Sequence, residues 1–347
     1  MSAPLGVGII AAGPVTQAIH LPTLARLTDQ YRVVHVMDID GTIAEKVAGR
    51  AGAKSSTSVE AVMADPEVDV VAICSPPQFH SEQVLAAIAA RKRGILCEKP
   101  FAVSWDEVET LAAAARQAGI PLLVAAMHAF DPGWEAVAAE CGELIRTAHT
   151  VRSSISLPMN DRFEDLASHI LSRPPLPEMN LDNPEVRAGM FRAGILGLAI
   201  HDLPIVRAFA PTIEFVDRAE VLSPFGYSVS AHSGHRKVSL FGHMHFGWKP
   251  EWTFDAWSES AHLHIDFTPS YVHAGSATAL LTENGSHRGF GPFTHNGYTA
   301  EWIRLADMIA SGTSDIEANL SRYIDDLTYA LRIADAFTEA TPPVSPK

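Results

Sequence analysis

Leu5-Gly6-Val7-Gly8-Ile9-Ile10-Ala11-Ala12-Gly13-Pro14-Val15 opens the chain with an apolar run, a turn of small residues and a proline. The run Leu5–Ile10 has the length and branched content of a buried strand. Pro14 suits the first position of a helix, where its missing N–H costs nothing. Strand, tight turn and helix then recur. Further apolar runs predict strands at Arg32–Met37, Lys54–Ser56, Val68–Cys74, Gly94–Cys97 and Pro121–Ala125. Amphipathic stretches predict helices at Pro14–Leu27, Gly41–Ala51, Val59–Met63, Gln78–Ala90 and Trp105–Ala118. The last is the best delimited, by a Ser104/Glu107 capping box at one end and Gly119-Ile120-Pro121 at the other. Such alternation is the pattern of βαβ units feeding a parallel sheet.

After about Pro132 the pattern changes to β-rich runs interrupted by Arg173-Pro174-Pro175-Leu176-Pro177. Candidate strands at Thr147–Leu157, Thr212–Leu222, Lys237–Phe246, Glu251–Trp257, Ala261–Phe267 and Ala277–Thr282 suffice for one sizeable antiparallel or mixed sheet. Helices at Thr299–Ser311 and Ile316–Phe337 close the chain, and Thr341–Lys347 reads as a disordered tail. A length of 347 residues exceeds what one hydrophobic core usually organises, so two domains are expected, at 1–127 and 128–347.

A net charge of −14 opposes binding to nucleic acid, whose phosphates are held chiefly by Lys and Arg. No apolar stretch is long enough to span a bilayer, and the start lacks the basic and apolar segments of a secretion signal, so a cytoplasmic location is expected. Cys74, Cys97 and Cys141 are odd in number and read as reduced thiols in apolar surroundings.

The turn after the first strand is where a dinucleotide fold presents backbone N–H groups to a pyrophosphate. Gly8, Ala11, Ala12, Gly13, Pro14 and Val15 are the candidate contacts, with Ala11 and Thr16 standing where the fingerprint has its first and third glycines. Asp38, at the end of the second strand and 25 residues beyond Gly13, is placed to accept ribose hydroxyls. A carboxylate there favours NAD over NADP. Asp38 or Asp40 could also cap the helix starting at Gly41, and both roles can coexist.

Ser75-Pro76-Pro77-Gln78-Phe79-His80 follows the fourth strand and Glu98-Lys99-Pro100 the fifth. With the opening glycine loop and Phe130-Asp131-Pro132, these segments resemble the glucose–fructose oxidoreductase/inositol dehydrogenase (Gfo/Idh/MocA) family over roughly the first 135 residues. The resemblance implies a Rossmann dinucleotide-binding domain followed by an α+β domain with a large open, mostly antiparallel sheet. It also implies hydride transfer between a nicotinamide and a secondary alcohol or ketone of a sugar, cyclitol or related polyol. Ser75, Pro76, Pro77, His80, Glu98 and Lys99 then join the cofactor contacts.

Lys99 carries over as the catalytic lysine; its ammonium can hydrogen-bond the reacting oxygen and stabilise a developing alkoxide. The family's Asp-x-Gly-x-His segment is matched by Gly197-Leu198-Ala199-Ile200-His201, in which the histidine is kept but the aspartate position is Gly197 and a later one Pro204. His201 is the expected proton partner, since a neutral imidazole can accept an alcohol proton near neutral pH. Lys99, His128, His201 and Asp202 are the candidate substrate contacts. The departure motivates an alternative, a catalytically silent NAD(P)-binding sensor of the same fold.

His243-Met244-His245 and His262-Leu263-His264 could gather four imidazoles if their strands were neighbours. No paired Cys or Asp/Glu spacing supports a zinc site, so no metal is expected. A polar sheet face buried between subunits of a homodimer or homotetramer is the expectation instead, with Trp248, Trp252 and Trp257 alongside.

Overall fold

The computed structural model describes residues 3–173, 180–245, 247, 249–312 and 316–337; the expected tail at Thr341–Lys347 and Trp248 lie outside them. The chain divides into two compact units. The first comprises Met1–Ala125, Phe163–Pro175 and Tyr298–Asp325, and the second Ala126–Arg162, Leu176–Gly297 and Asp326–Lys347.

The first unit is built on six parallel strands, β1 (Leu5–Ile10), β2 (Tyr31–Met37), β3 (Lys54–Ser56), β4 (Val70–Ile73), β5 (Gly94–Glu98) and β6 (Leu122–Ala125). Their order is β3-β2-β1-β4-β5-β6. β1, β4 and β5 are apolar almost throughout because a parallel sheet is covered on both faces. Helices Gly41–Ala51 and Trp105–Ala118 run as expected, each ending at a glycine in the left-handed conformation, Gly52 and Gly119. The first helix differs from expectation: it contains a π turn at Thr16–His20 before the α-helical Leu21–Leu24. The strand order reverses between β1 and β4, and in open sheets of this kind ligands bind outside the carboxyl ends of the strands at that point.

The second unit carries eight strands, β7 (Thr150–Leu157), β8 (Phe215–Val221), β9 (Phe225–Ser233), β10 (Arg236–Met244), β11 (Glu251–Trp257), β12 (Ala261–Asp266), β13 (Thr278–Glu283) and β14 (Ser286–Phe290). They order as β14-β13-β12-β11-β7-β10-β9-β8, antiparallel except for the β7·β10 pair. Two strands, β9 and β14, lie outside the runs picked out from sequence: β9 is interspersed with serines and a glycine, and β14 is an exposed edge strand with no apolar alternation. A helix at Asp161–Ala167 falls in a segment to which the sequence pattern assigns no element, and Pro184–Gly197 adds a capped helix started by Asn183. One sheet face is apolar: Val151, Ile155, Phe254, Leu263 and Ile265 are fully buried. Arg152, Ser154, Thr253, His262 and His264 alternate onto the other.

β10 and β12 are separated by β11 and β7, so the two histidine pairs do not meet. Trp252 is 2 % exposed in the core, which removes it from the outer sheet face. Among the described residues no single helix is long and apolar enough to cross a membrane.

Candidate active site

The turn after β1 is tied down from several sides. Ala11 N–H donates to Met37 O at 2.9 Å, and Thr16 Oγ1 donates to Ala11 O at 2.6 Å. Ala12 N–H donates to Asp38 Oδ2 at 2.8 Å, while Asp38 Oδ1 accepts Asp40 N–H at 2.9 Å. Asp40 caps the next helix, accepting from Thr42 and Ile43. The two aspartates therefore divide the labour: Asp40 starts the helix, and Asp38 faces the loop.

Ala11 adopts φ 72°, the left-handed conformation that the fingerprint reserves for glycine. A Cβ added at Gly13 would meet no protein atom within 4 Å. That open space beside the helix start, where first-turn N–H groups lack intrahelical acceptors, fits a pyrophosphate. Gly8 has a different use. A Cβ there would lie 2.6 Å from Val62 Cγ1 and 2.9 Å from Val68 Cγ1, so its bareness serves helix-to-sheet packing beneath the loop rather than cofactor contact.

Ser75, Pro76 and Pro77 follow β4 on the other side of the switch point, with Pro76 exposed and Ser75 and Pro77 half-buried. Ser75 Oγ donates to Gln83 Oε1 at 2.6 Å. His80 is 1 % exposed, and its ring nitrogens face the carbonyl oxygens of Pro100 and Ser75, each at 2.7 Å. The expectation that His80 contacts cofactor is thereby corrected: with both nitrogens engaged, it staples the loop after β4 to the loop after β5.

Glu98 and Lys99 end β5. Glu98 Oε1 meets His20 Nε2 at 3.1 Å, and Trp302 Nε1 donates to His20 Nδ1 at 3.2 Å. An indole N–H can only donate, so Nδ1 carries the lone pair and Nε2–H donates to Glu98. Burial would raise Glu98, yet the hydrogen bond from His20 and the charge on Lys99 hold it below the usual carboxylate value. Glu301, 1 % exposed, is pushed well above that value by burial and by Glu98. Lys99 is drawn below the ordinary lysine value by burial, against the pull of Glu98 and Glu301.

Sequence reasoning missed His20, Glu301 and Trp302. They come from a helix after β1 and a helix nearly 300 residues later, which packs on β5 where Gly94 leaves room for Leu305 and Ile309. The three cysteines are free; Cys97 and Cys141 are buried and Cys74 is half-buried.

The second unit holds His128, His201 and Asp202. Asp202 is 1 % exposed. Its carboxylate accepts from Trp252 Nε1 at 2.8 and 2.9 Å and from Ser153 Oγ at 2.5 Å, and meets His128 Nδ1 at 2.6 Å. This corrects the expectation that Asp202 contacts substrate: its oxygens are committed to the fold, where they orient His128. The His128 ring stacks on Phe267 with centroids 3.8 Å apart and lies 6.1 Å from that of His201, which sits edge-on to Trp252 at 5.7 Å. Gly197 ends the helix Pro184–Gly197 in open surroundings, with nothing within 4 Å of an added Cβ.

A doubly wound parallel sheet with a small-residue loop, an acidic residue after β2 and a lysine after β5 defines a dinucleotide-binding Rossmann domain. Residues 5–126 match the family described as oxidoreductase family, NAD-binding Rossmann fold. In this N-terminal segment the chain belongs to the Gfo/Idh/MocA family of oxidoreductases. Among curated relatives it is similar to a 1,5-anhydro-D-fructose reductase of Ensifer adhaerens, 32 % identical over 208 residues, covering 58 % of this chain and 55 % of the relative. It is also similar to inositol 2-dehydrogenase 3 of Saccharopolyspora erythraea, 36 % identical over 129 residues, 37 % of this chain and 38 % of that one. The matches thus span about half or less of those relatives' lengths. Among solved structures, a 3-ketoreductase from Actinomadura kijaniata in complex with NADP shares the fold, with a TM-score of 0.73 at 17 % identity, covering 96 % of this chain and 97 % of that one.

Proposed function

We propose that the protein is an NAD(P)-dependent oxidoreductase that moves a hydride between nicotinamide and a secondary alcohol or ketone of a sugar, cyclitol or related polyol. Residues 1–127 would bind cofactor and residues 128–347 substrate. The observation that carries the reading is Lys99, at the carboxyl end of β5 in the same sheet as the cofactor loop, with Glu98 beside it anchored by His20 and Trp302.

The backbone from Ala11 to Val15 would hold the pyrophosphate, Asp38 the adenosine ribose, and Ser75, Pro76 and Pro77 would flank the ligand. Bound nicotinamide supplies the hydride acceptor or donor. Asp38 supports NAD, because a 2′-phosphate would meet its carboxylate. Lys99 would hold the reacting oxygen by a charge-assisted hydrogen bond, worth most where water is excluded. Its lowered pKa brings proton exchange nearer to neutral pH. His201 would exchange the substrate proton, with His128, oriented by Asp202, as a further hydroxyl contact. The location carried with this reading is cytoplasmic, and the assembly a homodimer or homotetramer through the outer sheet face.

The test mixes purified protein with NAD or NADP and a panel of sugars, cyclitols and their ketones, following reduced-nicotinamide absorbance. Turnover of at least one substrate, lost in Lys99→Ala and strongly reduced in His201→Ala, is expected. No turnover, with wild type and Lys99→Ala alike, refutes the enzyme. Calorimetric binding of NAD(H) under that outcome would establish the sensor instead.

A further inference from the structure

We infer that the outer face of the eight-stranded sheet carries a mononuclear divalent-metal site formed by Asp255, His262 and His264, with Zn²⁺ the ion whose ligand preferences it fits best. Each of the three offers a ligand atom, and these atoms all lie within 4.8 Å of one another. Asp255 Oδ1 is 2.9 Å from His262 Nε2 and 2.8 Å from His264 Nδ1. Ligand atoms around a tetrahedral zinc stand roughly 3.3 Å apart, given Zn–N and Zn–O distances near 2.0–2.2 Å. An ion therefore fits after a small opening of the two pairs.

The register explains why spacing in sequence conceals the site. His262 and His264 share the outer face of β12, and antiparallel pairing sets Asp255 on β11 directly opposite His264. Two imidazoles and one carboxylate converge from two strands. Two imidazoles and a carboxylate suit zinc and its neighbours rather than magnesium or calcium, which take oxygen ligands.

The surroundings are those of a ligand set held in place. His264 Nε2 lies 3.2 Å from Asp266 Oδ2, so its far nitrogen is oriented by a carboxylate, as is usual for metal-bound histidine. The His262 ring stacks on Trp257 with centroids 4.9 Å apart and planes 5° from parallel. Asp255 is 3 % exposed, and Arg152 Nη2 donates to its Oδ2 at 3.0 Å, leaving Oδ1 toward the histidines. The Arg152 guanidinium opposes a neighbouring cation and limits affinity. In the single chain an open cleft lined by His264, Asp266, Thr278, Leu280 and Phe290 lies beside the cluster.

The test uses the full chain, purified without a histidine tag, stripped with chelator and titrated with Zn²⁺ by calorimetry. Wild type is expected to bind one equivalent saturably. The His262→Ala/His264→Ala double variant is expected to lose that binding, and Asp266→Asn to weaken it about tenfold. Circular dichroism and melting check that each variant folds. Absence of saturable binding in wild type, or an unchanged equivalent in the double variant, overturns the proposal. Should the double variant fail to fold, Co²⁺ added to wild type decides: tetrahedral d–d absorption that excess Zn²⁺ abolishes supports the site, and no such absorption refutes it.

Discussion

Replacing Ala11 by glycine should stabilise the first unit. At φ 72° the Ala11 Cβ crowds the following carbonyl, at about 1–2 kcal/mol for an L-residue. The loop cannot rotate away, because Ala11 is gripped through its own N–H by Met37 O and through its carbonyl by Thr16 Oγ1, and Ala12 N–H is held by Asp38. Glycine removes the crowding while adding about 0.5–1 kcal/mol of unfolded-chain entropy. The net gain is about 0.5–1 kcal/mol, or roughly 1–4 °C in Tm for a unit of about 150–250 residues. Ala11→Val should move the other way by at least about 1 kcal/mol, since a β-branched residue tolerates this conformation least. Urea unfolding followed by circular dichroism, with calorimetry of wild type and both variants, makes the measurement. A destabilised Ala11→Gly, or an Ala11→Val as stable as wild type, would refute the strain argument.

Asp65 is held at a pKa of about 2 although its burial acts to raise it, because Glu67 N–H, His35 and Lys54 all donate to it. A depressed carboxyl contributes stability above its unfolded value and loses it as pH falls through the folded one. About 1–2 kcal/mol should therefore disappear between roughly pH 4 and pH 2 in wild type, after allowance for screening through exposed Lys54, and the slope should flatten in Asp65→Asn. Asp202→Ala leaves the Trp252, His128 and Ser153 donors buried without their acceptor and should lower unfolding stability by about 3–5 kcal/mol; a loss below about 1 kcal/mol in denaturant titration would show that water replaces the carboxylate. Gly197→Ala adds a methyl group that touches nothing within 4 Å at a helical position and should raise thermal stability by about 0.5 kcal/mol; any destabilisation counts against the open surroundings described for it.

Local chemistry made the first unit legible. β1, β3 and the helices Gly41–Ala51 and Trp105–Ala118 fall at the residues their periodicity and caps indicate, because each signal is contained within one segment. The placement of Lys99 directly after β5 was legible for the same reason. His20, Glu301 and Trp302 were not, since a histidine in an apolar helix and a glutamate in an amphipathic one look unremarkable until the fold brings them to Glu98. Asp202 shows the converse: its position in the chain suggested a ligand contact, but only tertiary structure reveals that Trp252, Ser153 and His128 have claimed it. Whether the histidine pairs meet was not legible, because strand order is a long-range property. β10 and β12 are close in sequence, yet β7, from about 90 residues earlier than β10, stands between them with β11.

That insertion has a consequence for how the sheet keeps its alignment. β7 pairs in parallel with β10 on one side and antiparallel with β11 on the other, while the other five pairings of this sheet join strands that follow one another in the chain. Two ribbons, β8–β10 and β11–β14, each set by their own turns, are thus referenced to a single template strand. A one-residue slip along β7 would exchange its faces, carrying Arg152 into the core and withdrawing Ser153 from Asp202. The same slip would misplace Arg152 beside Asp255, so the alternation within β7 sets both the buried carboxylate network and the outer-face cluster.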